Sequence, residues 1–470
     1  MTLVMKFGGT SVGSAAAIRQ TAELIRSCQA DWGPVVVVAS AMGTQPVKVT
    51  DLLLQGAYAA LAGDEATCLR VADALRQAHY ETIDGLLAPE KERQQILAEN
   101  QQFIERFAAL CRAVLVLGEL TPRALDTISA MGEQMSVRIL AAYLREAGLP
   151  AGAIDATELL VTDDNFQSAA PLWAETTAQT QARLQPLLDQ GIIPIVTGFI
   201  GATQTGVTTT LGRGGSDFSA AILGQALAAQ EVWIWTDVDG VMTADPRLVP
   251  AARSIPVLSF REVAELAYYG ARVLHPKTMR PCVENDIPLR IKNTFNPQHP
   301  GTVIVREAPA GNGSGAMKAV TAIKELSLIT VEGRGMMGVP GIAARTFGAV
   351  ARGQVSVLLI SQASSEQSIC FAAPAGATDS VLAALEQEFT AELQRKDIDR
   401  IWALRPVAIV TVVGAGMRGT PGIAGRIFSA LGREALNIIA IAQGSSECSV
   451  SLVVDGADTA TAVQRIHELL

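Results

Sequence analysis

The sequence predicts an α/β sandwich with a mostly parallel sheet and a helical insertion, followed by two copies of a smaller α+β unit. Three observations carry this. Over residues 1–305, short β-branched runs bounded by Gly, Pro or Asp alternate with helical stretches, as strands buried on both faces do. Residues 51–147 interrupt the alternation with long Ala/Leu/Glu/Arg/Gln patterns at helical spacing. Residues 333–371 then align with 414–452 at a constant offset of 81, with 18 identities in 39 positions. Unrelated segments share roughly two or three, given ordinary residue usage.

The elements follow in order. A strand over Leu3–Phe7 runs into a Gly-rich turn, and a helix is predicted over Ala15–Ser27. Strands follow at Val35–Ala39, Ile192–Val196 and Val232–Thr236, with a helix over Ser216–Ala229. Within the insertion Pro89 stops one helix and Pro122 starts another. Residues 306–315 are rich in Gly, Ala, Pro, Asn and Ser and read as a linker. Each repeat copy reads strand, Gly-rich turn, helix, strand, Gln-x-Ser-Ser-Glu turn, strand. The first copy continues with a helix over Asp379–Leu393 and a strand over Val407–Val413. The second ends in a helix over Thr459–Leu470 with no strand after it, so its sheet is one strand short. Met317–Lys324 is the nearest candidate for that place, which predicts interleaved copies. The expected domains are 1–305, with the helical subdomain at about 51–147, then 316–406 and 407–470, with 316–324 completing the last.

A chain of 470 residues, 49% hydrophobic, should be globular with several cores. Its net charge of −9 and lack of a long Lys/Arg run argue against nucleic-acid and membrane partners. The residues before Lys6 are too few for a signal peptide, and no apolar run is long enough to span a bilayer. The six cysteines form no CxxC pair and read as buried thiols in a reducing compartment, so a cytoplasmic location is expected. The four histidines are scattered, and no protein metal site is expected.

Two Gly-rich turns carry the candidate chemistry. In Leu211-Gly-Arg-Gly-Gly-Ser-Asp217 a fixed cation, Arg213, and a carboxylate, Asp217, stand at the start of an alanine-rich helix. The first N–H groups and positive dipole end of a helix suit an anion. Lys6-Phe-Gly-Gly-Thr-Ser11 follows the first strand with a second cation. An exposed edge is the ordinary fate of such a lysine. The glycines and hydroxyls behind it offer donors for phosphate. Two such turns suit phosphoryl transfer between two anionic substrates. Glu133 begins a helix, where an acid often only offsets the dipole. Thr236-Asp-Val-Asp-Gly-Val241 follows a buried strand, where both turn chemistry and a ligand crevice are available readings. His275, in Val-Leu-His-Pro, reads as packing or capping. Gly333–Gly338 and Gly414–Gly419 both match GxGxxG, but Gln362 and Gln443 stand where a dinucleotide fold needs an acid. Pro340 and Pro421 suit a first helical turn, so these glycines shape tight turns into helices.

Together, Lys-Phe-Gly-Gly-Thr-Ser (6–11), Gly-Arg-Gly-Gly-Ser-Asp (212–217), Thr-Asp-Val-Asp-Gly-Val (236–241), Gly-Ala-Arg-Val-Leu-His-Pro (270–276) and Ile-Lys-Asn-Thr (291–294) resemble the aspartate kinases. These are members of the amino-acid kinase superfamily with two C-terminal ACT domains, and the resemblance runs the whole length in order. It implies an amino-acid kinase α/β sandwich followed by two ACT-type, ferredoxin-like α+β domains. It also implies phosphorylation of the L-aspartate β-carboxylate by ATP, opening the route to lysine, threonine and methionine. Mg2+ is expected to arrive with ATP, since no compact carboxylate cage is visible. The Gln-x-Ser-Ser-Glu and Gly-Met-x-Gly segments, with the helical insertion, look most like the threonine-sensitive class. That class is often fused to homoserine dehydrogenase, and no fused dehydrogenase is expected here.

By the same resemblance Lys6 stabilises the transferring phosphoryl group and Asp217 orients it. Gly8, Gly9 and Ser11 line the phosphate turn. Arg213 forks onto the aspartate α-carboxylate, as guanidinium geometry allows. Glu133 takes the α-ammonium, with Ser40, Thr50 and Ser216 also on the substrate side. Thr236, Asp237, Met242, Arg247 and Arg272 hold ATP. The family often has an aromatic residue where Met242 stands and Lys where Arg272 stands, which predicts altered nucleotide affinity. Gln362, Asn437 and Gln443 are the expected effector contacts, with threonine placed ahead of lysine. Paired ACT domains imply a homodimer or a higher homo-oligomer. A carboxylate nucleophile is already ionised at neutral pH, so the scarcity of histidine is no obstacle. Three other readings stay open: a kinase of another small acid such as glutamate, an NAD-dependent dehydrogenase, and a catalytically silent amino-acid sensor. Intact Lys6, Arg213 and Asp217 weigh against the last.

Overall fold

The structure is a computed structural model and describes residues 2–43, 48–271, 274–308, 316–363, 365–444 and 447–470. It divides into two compact units: Met1–Val241 with Pro256–Phe260 and Leu274–Ala308, and Met242–Ile255 with Arg261–Val273 and Pro309–Leu470. Among the described residues no helix is long and apolar enough to cross a membrane.

The strands of the first unit are β1 (Leu3–Phe7), β2 (Val35–Ala39), β3 (Ala151–Ile154), β4 (Val161–Thr162), β5 (Ile193–Thr197), β6 (Ile200–Thr203), β7 (Thr208–Thr210), β8 (Glu231–Thr236), β9 (Val257–Ser259), β10 (Leu289–Asn293) and β11 (Thr302–Val305). Eight of them form one sheet in the order β3-β5-β2-β1-β8-β10-β11-β9. Every neighbouring pair is parallel except β10 and β11. Strands β4, β6 and β7 form a small second sheet. The Val-rich β2 is buried along its whole length, which requires cover on both faces. One face packs on helix α1 (Ala15–Trp32) and on the insertion: α2 (Val49–Leu61), α3 (Glu65–Leu86), α4 (Lys91–Leu117), α5 (Pro122–Ser129) and α6 (Met131–Glu146). Leu3, Met5 and Phe7 of β1 enter that core, so Lys6, of opposite parity, faces the other side. Helix α8 (Gly215–Ala226) lies on that side, beside α7 (Trp173–Asp189).

Local signals start and stop the insertion helices. The Asp64 side chain caps α3, and Thr121 caps α5 with Pro122 at its first position. Gly118, left-handed at φ 68°, ends α4.

The second unit holds β12 (Ala319–Glu332), β13 (Leu359–Gln362), β14 (Ser368–Pro374), β15 (Arg400–Val413), β16 (Ala440–Gln443) and β17 (Ser449–Asp455). They form one antiparallel sheet in the order β13-β14-β12-β15-β17-β16. The two central strands are each shared by both repeat copies. Ala319–Ile323 pair with Ile409–Val413, which pair in turn with β17 of the second copy. Beyond a register shift at Ile323 to Leu328, the rest of β12 pairs with β14 of the first copy. Segments read separately as Met317–Lys324 and Val407–Val413 are thus halves of continuous 14-residue strands. The helix expected over Asp379–Leu393 is instead two, Thr378–Glu388 and Thr390–Arg395, separated by the fully buried Phe389.

One boundary departs from expectation. Residues 242–255 and 261–273, read as part of 1–305, cluster with the second unit. Polar contacts hold them there. Thr243 Oγ1 lies 2.9 Å from His467 Nε2. The fully buried Glu262 accepts from Ala415 N at 2.7 Å and pairs with Lys318 at 3.0 Å. Ser449 donates to Glu265 at 2.8 Å. Of the expected linker, 309–315 lie outside the described residues.

Candidate active site

Parallel pairing brings several chain ends to one edge of the first sheet. Phe7 stands opposite Ala39 and Trp235, Ala39 opposite Thr197, and Thr236 opposite Asn293. Gly8, Ser40, Gly198, Asp237 and Thr294 therefore leave their strands together. Connections diverge between β1 and β8, with β2 and β5 to one side and β10 to the other, where an open α/β sheet forms its crevice.

Lys6 Nζ and Asp217 Oδ1 lie 2.6 Å apart there, with side chains 12% and 20% exposed. Asp217 occupies the first turn of α8, whose N-cap, Gly214, makes no side-chain cap hydrogen bond. Gly214 is left-handed at φ 73°, and Gly212 is left-handed at φ 78°. A Cβ on Gly215 would lie 2.6 Å from the Phe199 ring. The glycines of this turn thus have backbone and packing reasons. Arg213 stands exposed at its tip, and Ser216 packs within 2.7 Å of where a Cβ on Gly198 would be.

Glu133 sits in the first turn of α6, only 4% exposed. Its carboxyl accepts from Ala41 N–H and from its own N–H, while Oε2 is buried with no partner among the described residues. Burial pushes its pKa up to about 8, against the pull of those two N–H groups and of Lys6. A buried acceptor without a donor is costly, and a cationic ligand would relieve it. Ser40 and Thr50 are half-buried, Ser40 N donating to Phe7 O and Thr50 lying in the first turn of α2.

The first Gly-rich turn differs from expectation in detail. Gly9 is where another stretch of backbone crosses: a Cβ there would stand 3.0 Å from Ala41 O and 3.2 Å from Gly43 Cα. Gly8 N donates to Trp235 O. Ser11, expected to face phosphate, is fully buried, and its hydroxyl lies 2.7 Å from Thr294 Oγ1. The Thr21 hydroxyl donates to Ser11 O. Ser11 thus pins its turn to the chain after β10, a role that nothing in a lone Ser signals.

The expected nucleotide residues divide. Thr236 ends β8 and Asp237 follows it, with Thr236 Oγ1 donating to Asp237. Met242 and Arg247 belong to the second unit. Arg247 is doubly hydrogen-bonded to Asp245 two residues away, so its fork is already occupied. Arg272 lies outside the described residues. No three His, Cys, Asp or Glu side chains gather as metal ligands among the described residues.

In the first repeat, Gln362 is exposed and lines a cleft of about 320 Å³ with Met336, Pro340 and Ile342. Glu366 accepts from Gly338 N at 3.0 Å, and its counterpart Glu447 accepts from Gly419 N at 2.8 Å. The repeated Glu therefore holds each Gly-rich turn, a role whose signal is the repeat itself. Asn437 and Gln443 are exposed in the second copy.

Residues 1–293 match the amino acid kinase family, and residues 329–389 and 410–470 match the ACT domain. The chain is 36% identical over 470 residues to the chloroplastic bifunctional aspartokinase/homoserine dehydrogenase 1 of Zea mays, covering 99% of this chain and 50% of that protein. It thus spans about half the length of the bifunctional relatives that it matches. It is 34% identical over 480 residues to chloroplastic aspartokinase 1 of Arabidopsis thaliana, covering 100% of this chain and 80% of that protein. Among solved structures, E. coli aspartokinase III in complex with aspartate and ADP superposes with a TM-score of 0.78 at 31% identity, with 100% of both chains covered. Its complex with lysine and aspartate superposes with a TM-score of 0.78 at 32% identity, covering 99% of both. On the catalytic and ACT matches together, this chain belongs to the aspartokinases of the amino acid kinase family.

Proposed function

We propose that the protein transfers the γ-phosphoryl group of ATP to the β-carboxylate of L-aspartate, forming 4-phospho-L-aspartate and ADP. The observation that carries this is the Lys6–Asp217 pair at the strand ends, on the first turn of α8. The nucleophile is ionised without a general base, so catalysis reduces to alignment and charge neutralisation. Lys6 neutralises charge on the transferring group while Asp217 holds its ammonium in place. The positive N-terminal end of α8 suits a phosphate oxygen. Arg213 takes the α-carboxylate, and the Glu133 oxygen that has no partner among the described residues takes the α-ammonium. Thr236 and Asp237 lie on the nucleotide side, and magnesium enters with the nucleotide phosphates.

The ACT repeats give the chain an amino-acid-regulated form. Threonine is the proposed effector and Gln362 its proposed contact, since a Gln side chain offers both a donor and an acceptor to a small amino acid. Pairing through the ACT repeats makes a homodimer or larger, and the product would feed lysine, threonine and methionine synthesis in the cytoplasm. ADP release is measured with L-aspartate, L-glutamate or no acceptor, each with and without L-threonine and L-lysine. Aspartate-dependent release inhibited by threonine is expected. Turnover with glutamate alone overturns the substrate, and inhibition by lysine alone overturns the effector.

A further inference from the structure

Asp126, on α5 of the helical insertion, looks in the sequence like any helix acid. Its side chain is 1% exposed. Its carboxylate accepts from Gln167 N at 3.0 and 3.2 Å, from Thr210 N at 2.9 Å and from Thr210 Oγ1 at 2.8 Å. A buried carboxylate needs such donors, and these are neutral and drawn from two separate segments. Burial raises its pKa, and these hydrogen bonds pull the other way.

Both segments lead to Arg213. Thr210 ends β7 and is followed by Leu211, Gly212 and Arg213. Gln167 is left-handed at φ 69°, an uncommon conformation for a side-chain-bearing residue. Its carbonyl oxygen would stand 2.9 Å from a Cβ on Gly212, so that loop packs directly on the Arg213 turn. Ala169 N donates to Thr210 O, joining the two segments to each other. Arg213 is exposed and has no ion pair among the described residues, so its place is set by its backbone.

We propose that Asp126 is the positioning residue for Arg213, holding the turn so that the guanidinium meets the α-carboxylate of the substrate amino acid. It touches no substrate itself. The proposal rests on the reading of Arg213 as the α-carboxylate ligand.

The test uses the full chain and steady-state kinetics. Asp126→Asn replaces one acceptor by a donor facing an N–H group. KM for L-aspartate should rise about tenfold, the scale of a lost charged hydrogen bond, with kcat and the ATP KM within about twofold. Thr210→Val removes one donor from the opposite side and should raise the same KM severalfold, while Thr210→Ser, which keeps the hydroxyl, should stay near wild type. These two variants carry the test if Asp126→Asn does not fold. β-Alanine, which lacks the α-carboxylate, supplies the control as a competitive inhibitor: its Ki should stay unchanged in every variant. Equal losses for β-alanine and L-aspartate, or an aspartate KM unmoved in both Asp126→Asn and Thr210→Val, overturn the proposal. Arg213→Lys is measured beside them. If it raises the aspartate KM while the others do not, the positioning role falls and the reading of Arg213 stands. If it leaves the aspartate KM unmoved, the reading itself falls.

Discussion

Lowering the pH from 8 to 6 should weaken aspartate binding steeply, because the carboxyl proposed to hold the ammonium carries a proton over that range. Burial sets the pKa of Glu133 at about 8, well above the ordinary carboxylate range. An ammonium needs the ionised form, so below pH 8 binding must first expel a proton. The apparent KM then scales as one plus ten to the power of 8 minus pH. That is about 11-fold above its limit at pH 7 and about 100-fold at pH 6, so roughly ninefold between them. The charges of aspartate itself hardly change in this window. The linkage to stability has the matching sign. Between the unfolded carboxyl value near 4.5 and the folded value near 8, only the folded state holds the proton. The contribution of Glu133 to the ligand-free protein therefore falls as pH rises through that window, and aspartate should offset the loss. Initial rates of ADP release from pH 6 to 8.5 at saturating ATP measure the KM profile. Calorimetry in two buffers of different ionisation enthalpy counts the protons released, about 0.9 per aspartate at pH 7. A KM flat within twofold from pH 6 to 8, with no proton release, would falsify the assignment of Glu133. An unchanged profile in Glu133→Gln would do the same.

Lys6→Ala should lower kcat by about 10²-fold or more with a smaller change in aspartate KM, since the lost charge acts mainly in the transition state. A variant with near wild-type kcat removes Lys6 from the chemistry. His79 is fully buried, and burial pushes its pKa down to about 4. The unfolded chain takes a proton below about 6.5 and the folded chain does not, so stability should be full above that pH and fall toward pH 4. The loss is on the order of 3 kcal/mol, readable in urea unfolding, and it should shrink in His79→Gln. Glu262→Ala breaks the buried contact with Lys318 and strands Ala415 N–H, which should cost the second unit about 3 kcal/mol. A melting temperature unchanged in that variant would show that the contact contributes little.

Much of the fold is legible in local pattern. Val35–Ala39 reads as a buried strand because no polar residue interrupts it, and the mostly parallel sheet follows from strands alternating with helices. Pro122 starts a helix in the sequence and in the structure for the same reason, its fixed φ and missing N–H. The repeat is visible as identities at one offset, and its odd strand count points to sharing between the copies. That Ala319–Glu332 and Arg400–Val413 run unbroken through both copies is not visible, because a register shift disguises the join. Of the candidate site, Lys6 is legible because a lysine is unusual in a buried strand, and Arg213 and Asp217 because a Gly-rich turn sets them at a helix start.

The sequence by itself determined the α/β class, the helical insertion, the ACT repeats and the membership of the aspartokinases, since each is written in periodicity or motif order along the chain. Tertiary structure alone decided which groups are paired and which are left open. It brought Asp217 to Lys6 from 211 positions away, pinned Ser11 on Thr294 and closed the Arg247 fork on Asp245. It left one oxygen of Glu133 buried without a donor among the described residues. Hydrogen-bond partners and dielectric environment depend on distance in space, and sequence separation carries neither.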